Sequence, residues 1–275
     1  MRQGLVDHSD SLGAAARFGR GDTQWLTAGQ GIVHSEMFPL LDTSAPNPLE
    51  LFQIWVNLPA ADKMAEPHFT MLWDEDTPRV RSVDDDGRAV EITIIAGRLA
   101  GVEPLAAPPR SWASQADSDL AIWHVHIEPG AGWELPPAAS DDTIRTLYVF
   151  GHGALTIGGD VADGIGGERT VAGTEVATNH AAVVRVDHPV RVASTDGTDV
   201  LVLQARPIGE PVAQYGPFVL NDRAGIEQAF ADYRRTGFGG WPWPSDGPVH
   251  AATDGRFARH PDGRLDHPDA VRLAR

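Results

Sequence analysis

The sequence predicts an all-β protein of the sandwich or barrel type, and three observations carry the prediction. Gly 29 and Pro 21 make up 50 of the 275 residues, well above the roughly 12% of an average chain and without a triplet repeat, so turns are frequent. Short β-branched runs recur between Gly, Asp and Asn turns. Only one late segment carries apolar residues at helical spacing over a useful length.

The elements follow in order along the chain. Residues 6–21 are polar and glycine-punctuated and run into the mixed stretch 22–29. Gly29 and Gly31 bracket Gln30 ahead of the segment 32–37, Ile-Val-His-Ser-Glu-Met. Residues 49–58, LELFQIWVNL, are apolar on both faces and read as a strand covered on both sides. Segments 79–83 and 90–96 flank Asp84-Asp85-Asp86-Gly87, a hairpin signal because Asp-Gly tolerates positive φ. After the proline-rich joint 104–109, strands are expected at 120–128, 143–150, 154–157, 181–186, 190–193 and 200–205. In 120–128, Trp123, Val125 and Ile127 share one face and His124 and His126 the other. Ile226, Phe230 and Tyr233 then mark an amphipathic helix over 222–235, capped by Asn221 or Asp222 and stopped by Gly237. The rest of the chain reads as an irregular tail. The expected division is therefore 1–105, 106–240 including the helix, and a tail 241–275.

Composition bounds the function. Lys+Arg 22 against Asp+Glu 38 gives a net charge of −16, a field that repels phosphate backbones and anionic lipids, so neither nucleic acid nor a membrane is an expected partner. The absence of cysteine removes disulfides, thiolate ligands and thiol nucleophiles together. No apolar run approaches the roughly 18 residues of a membrane span. The opening MRQGLVDHSD has no signal core, so a cytoplasmic protein is expected. Lys63 is the single lysine, and with heavy Ala, Gly and Pro usage this implies a GC-rich, bacterial genome.

His34 and Glu36 are the most informative residues. At i and i+2 on a strand they project from one face, where an imidazole and a carboxylate can converge on Fe(II), Mn, Ni or Zn. Other candidates are weaker. His124 and His126 have the same spacing, but no matching Glu and third His follow at plausible positions, so they read as a polar pair. Asp84-Asp85-Asp86 lacks the alternating ligands and closing Glu of a calcium loop. Gly29-Gln30-Gly31 lacks the third glycine and βαβ context of a dinucleotide loop. Ser35 points away from His34 and forms no triad with it. Trp241 and Trp243 suit anchoring of the tail better than peptide recognition.

The strings GRGDTQWLTAGQGIVHSEMFP (19–39), LELFQIWVNLP (49–59) and RPIGEPVAQYGPFVLND (206–222) closely resemble signatures of the pirin family. The resemblance implies a bicupin: two tandem double-stranded β-helices, the first holding a non-haem iron. It implies an oxidoreductase related to dioxygenases that cleave flavonols such as quercetin. In some members it implies protein-partner binding that regulates transcription or metabolic enzymes. Family iron is held by three histidines and one glutamate, and the last two ligands map to His34 and Glu36. Glu36 would also serve as proton acceptor, and His34 as a neutral imidazole ligand.

The first two family histidines belong to an H-P-H-R-G-F strand that this chain lacks, and residues 1–13 resemble the stretch just after it. The expectation is a shortened N-terminus, an incomplete first barrel with unpaired edges, and iron bound weakly or absent. Poor solubility or association through that edge would follow. His8 lies in the right part of the chain to substitute, but relatives with complete sites carry a similar histidine, so it is not assigned as a ligand. Trp25, Met37 and Phe38 could touch an aromatic substrate, with core packing the preferred reading. The alternative function is a non-enzymatic interaction or regulatory module, whose acidic surface suits a basic protein partner. The two readings leave enzymatic activity open.

Overall fold

The computed structural model describes residues 1–268 except 85, 159, 163–167 and 171–172. The chain forms two compact units that interleave in sequence: 1–76, 107–114 and 209–275 make the first, and 77–106 with 115–208 the second. This differs from the expected division in three ways. The hairpin at 79–96 belongs to the second unit, and the helix at 222–235 and the segment 241–275 belong to the first. Compactness follows strand pairing, and strand pairing does not follow chain order here.

The first unit opens with β1 (Leu5–Asp10), β2 (Ala15–Gly19), β3 (Thr23–Thr27), β4 (His34–Met37) and β5 (His68–Leu72). The second contains the hairpin β6 (Arg79–Val83) and β7 (Ala89–Ala96), then β8 (Ala121–Ile127), β9 (Gly132–Leu135), β10 (Ile144–Phe150) and β11 (Leu155–Ile157). It continues through β12 (Asp160–Ala162), β13 (Glu168–Thr170), β14 (Thr174–Val176), β15 (His180–Val184), β16 (Val190–Ala193) and β17 (Thr198–Ala205). The chain then returns to the first unit as β18 (Ala213–Tyr215), β19 (Phe218–Leu220), the helix α1 (Arg223–Thr236), β20 (Phe257–Arg259) and β21 (Leu265–Asp266).

In the second unit a six-stranded sheet, ordered β15-β10-β17-β8-β7-β6, faces a four-stranded sheet, β14-β11-β16-β9. Alternation along β8 puts Trp123, Val125 and Ile127 inside at 3%, 1% and 0% exposure. They join Ile92, Leu135, Leu147, Leu155, Val192 and Val200 in an aliphatic core. Such a lining holds no donor for a metal or polar ligand, and the gap within it is only about 10 Å³, too small for a well-held water.

The first unit is built differently. Its main sheet runs β21-β20-β2-β1-β4, and β3 pairs with β5 in a second ladder. The core between them is small: Val6, Ala14, Ala16, Phe18, Phe69, Met71, Trp73 and Ala258. β1 is nonetheless buried on both faces, with Asp7, His8, Ser9 and Asp10 all at 0% exposure. Polar side chains at such depth call for partners; Ser9 Oγ has none, whereas Asp7 accepts from Arg17 and from the His250 N–H of the C-terminal segment. Arg17, directly across from Asp7 in the register, donates to both Asp7 carboxylate oxygens at 2.7 and 2.8 Å. Its remaining donors reach the carbonyls of His250, Ala251 and Asp254 at 2.7–3.0 Å.

The segment after Gly240 is therefore not the irregular tail expected from sequence. β20 pairs antiparallel with β2, Ala16 opposite Ala258, and covers the edge that β2 would otherwise present. Trp243 Nε1 donates to the Asp10 carbonyl at 2.7 Å, which supports the anchoring role. Arg256 donates to Asp22 at 2.7 Å and to Glu75. A strap built from these bonds replaces what a larger apolar core would supply.

A second correction concerns 49–58. That segment forms no strand. Its one backbone pairing is the bridge of Glu50 with Gln3, and Leu49, Phe52 and Trp55 are 45%, 40% and 63% exposed. An apolar run becomes a covered strand only where a ladder lies beside it, and here Glu50 alone finds one. The helix matches expectation: the Asp222 side chain accepts from Gly225 N at 2.8 Å, and Gly237 closes the last turn at φ 56°. Phe230 packs edge-on against Phe218 of β19, ring centroids 4.8 Å apart.

Candidate metal centre

The site is assembled by one antiparallel pairing. β1 and β4 run side by side with His8 opposite Glu36 and Asp10 opposite His34. Residues two apart on a strand share a face, and directly opposed residues share it across the ladder. All four side chains therefore form a block on the inward face of the sheet, the face on which Val6 joins the core. β4 reaches this position through a tight approach. Gly29 adopts φ 51°, and any Cβ there would strike the Ala65 carbonyl oxygen. The glycines before His34 are thus turn residues, as expected for a string that is not a dinucleotide loop.

Within the block, His8, His34 and Glu36 each bring a ligand atom to within 4.8 Å of the others. His8 is wholly buried. Its ring stacks on Phe69 at 5.5 Å and 11°, and lies 5.7 Å from the His34 ring. The His34 and Glu36 side chains are 36% and 31% exposed, with Nδ1 of the first 3.9 Å from Oε1 of the second. The cluster therefore has a rigid inner histidine and an outer side open to solvent. Burial, the largest cause, pushes His34 below its ordinary imidazole value, Glu36 pulls it back up, and His8 lowers it further. A lowered value keeps the neutral, ligating form at physiological pH.

The surroundings are specific. Asp10 Oδ1 accepts from Leu12 N and Ala14 N at 2.9 and 3.0 Å and braces the turn after β1. Its Oδ2 lies a long 3.5 Å from His8 Nε2. On the other side of the ring, Gln24 Nε2 meets His8 Nδ1 at 3.3 Å. Two imidazoles and one carboxylate are a donor set suited to a borderline divalent cation, so these residues fit the mononuclear metal that the motif implies.

Sequence reasoning puts His34 and Glu36 on one face of a strand, and the register sets His8 beside them. The signal was present as His8-x-Asp10 on one strand mirroring His34-x-Glu36 on the next. Reading it required the register, which no single strand carries. Gln24 gave no signal. Trp25 and Met37 lie on the faces of β3 and β4 opposite to Gln24 and Glu36, so neither points into the cluster. Phe38 is 44% exposed. In the second unit, His124 Nε2 and His126 Nδ1 both contact Asp199 Oδ1, at 2.8 and 3.1 Å. They sit on the sheet face opposite to the aliphatic core, as the expected polar pair. A cavity of about 390 Å³ lined by Asp62, Glu66, His68 and Arg110 contains none of the cluster. His68 points to the other side of β5 from Phe69, so this cavity lies behind the site and is not its mouth.

Comparison with known proteins decides the family. Residues 1–56 match the pirin family model and residues 122–239 the pirin C-terminal cupin domain. A protein of Pseudomonas aeruginosa, named provisionally as a quercetin 2,3-dioxygenase, is 35% identical over 236 residues, covering 85% of this chain and 73% of that protein. The chain belongs to the pirin family. Human pirin is 30% identical over 237 residues, covering 85% of this chain and 71% of its own. The crystal structure of quercetin 2,3-dioxygenase from Acinetobacter baumannii superposes with a TM-score of 0.69 at 27% identity, over 86% of this chain and 73% of that one. The all-β bicupin architecture expected for a pirin is the one observed. Among the described residues, no helix is long and apolar enough to cross a membrane.

Proposed function

We propose that this pirin is an oxidoreductase that takes Fe(II) at His34 and Glu36 and acts, with O₂, on a flavonol-like aromatic. The observation that supports this reading is the convergence of ligand atoms of His8, His34 and Glu36 on a cluster whose outer side is open. A bound Fe(II) would supply Lewis acidity toward a substrate hydroxyl and a redox partner for O₂. His34 acts as a neutral imidazole donor. Glu36, partly exposed, would help to hold the cation and would accept the substrate's hydroxyl proton. Only two of the four family ligand positions have counterparts in the motif here.

Oxygen uptake tests the reading. After anaerobic loading with Fe(II), the chain should consume oxygen when quercetin is added, and Glu36→Gln should lower the rate by about 10²-fold or more. His34→Ala should abolish it. Uptake unchanged in both variants, or no uptake by the loaded wild-type chain, contradicts the assignment.

A second reading has its own support. Phe38, Leu40, Leu49, Phe52 and Trp55 of the first unit are exposed by 40% or more, on a chain of net charge −16. An apolar strip on an acidic protein suits a basic protein partner. Partner binding that persists in His34→Ala and is lost in Trp55→Asp would favour this module over the enzyme.

A further inference from the structure

We propose that His8 is the third ligand of the metal site, and that Gln24 positions it by accepting the Nδ1 proton of its ligating tautomer. The inference rests on the metal reading of His34 and Glu36, and it changes the chemical character of the site. Two imidazoles and one carboxylate on one face, with the remaining positions open, are the facial triad of non-haem Fe(II) oxygenases. His8 lies outside the three-histidine, one-glutamate set that the motif implies.

Four observations lead there. The ladder sets His8 directly opposite Glu36, a pairing that brings Cβ atoms to roughly 4.5–5.5 Å. The ligand atoms of the three residues already lie within 4.8 Å of one another. The His8 ring is buried at 0% exposure and stacked on Phe69, so its orientation is fixed before any metal arrives and little rotamer freedom remains to be lost. Finally, Nδ1 is occupied by Gln24, which leaves Nε2 as the nitrogen available to the cluster.

The tautomer is where Gln24 enters. A neutral imidazole that ligates through Nε2 must carry its proton on Nδ1, and that N–H needs an acceptor. The Gln24 carboxamide now meets Nδ1 through Nε2, while its Oε1 is buried with no partner. A half-turn of the amide exchanges oxygen for nitrogen without changing shape. Oε1 then accepts the Nδ1 proton, one amide atom is unpartnered before and after, and the long 3.5 Å contact of Nε2 with Asp10 Oδ2 is exchanged for the metal. A carboxamide can thus face either tautomer. Asp10 is already committed to the turn through Oδ1.

The test is calorimetric titration of the full chain with Co(II), which reports affinity without turnover. Alongside the wild type stand His8→Phe, Gln24→Leu, Gln24→Glu and His34→Ala. His8→Phe keeps the ring stack and removes the donor. It should weaken Co(II) binding by at least about 10–100-fold. Gln24→Leu should weaken it by about tenfold, whereas Gln24→Glu, an obligate acceptor, should bind as tightly as wild type or tighter. A role for Gln24 in packing alone would not separate these two variants. If His8→Phe fails to fold, the imidazole ¹⁵N spectrum of the wild type with Zn(II) decides, because both His8 and His34 should shift. Wild-type affinity in His8→Phe with binding lost in His34→Ala would overturn the proposal and leave the metal reading standing. A Zn(II) response from His34 alone would do the same. Absence of any Co(II) binding by the wild type would remove the metal reading and this proposal with it.

Discussion

Arg17 has five N–H donors, and all are used at one buried spot. Two go to Asp7 and three to carbonyls more than 230 positions away in sequence. Removing it leaves the Asp7 carboxylate buried without its counter-charge, and breaking a buried pair on one side costs about 3–5 kcal/mol. Arg17→Met should therefore lower stability by that amount in urea denaturation; a loss under about 1 kcal/mol, the scale of an exposed pair, would show that the strap is peripheral. At this scale the sequence was legible where chemistry is local. His34 and Glu36 are two apart on one strand, so their common face follows from the pleat. His8 joins them only through the register of β1 on β4, and Arg17 finds its carbonyls only once the chain has returned. Neither relation leaves a mark in the neighbouring residues.

Among the elements, α1 and the β6–β7 hairpin were legible because their signals are punctuation. Asp222 caps the helix through Gly225 N, Gly237 ends it, and Asp84 accepts from Gly87 N at the hairpin turn through its own carbonyl. Asp222→Ala should cost about 1 kcal/mol, read as a shift in the thermal midpoint. A neutral result would mean that Phe230 packing on Phe218 already holds the helix without its cap. The segment 49–58 misled for the opposite reason. Its apolar pattern describes what the side chains would favour, but a strand needs a neighbour's backbone, and only Glu50 has one. β20 was missed because Phe257–Arg259 is three residues long. Its place is set by the free edge of β2 and by Arg17, not by any periodicity of its own.

Over the whole molecule, the two units reach stability by different means, and acid should separate them. The second rests on an aliphatic core, and its buried Arg145 on β10 stays charged in acid. The first buries histidines and carboxylates. Burial, with a smaller contribution from His260, pushes the His68 imidazole below its ordinary value, so the folded state resists a proton that the unfolded chain accepts. The unfolded state then binds more protons below about pH 6.5, and stability falls as pH drops through that value. Thermal midpoints at pH 7.5 and 5.5 should show this loss, and His68→Gln should reduce it. A variant with the same pH dependence as wild type would place the acid-sensitive groups elsewhere.

The central claim is that β1 and β4 together present a metal site to solvent, and iron stoichiometry tests it most directly. The chain is loaded anaerobically with Fe(II), passed through a desalting column and assayed for iron by elemental analysis. Ligands converging from both strands predict a single retained equivalent per chain in the wild type and almost none in His34→Ala. Equal retention by the two proteins, or none by the wild type, would contradict the account.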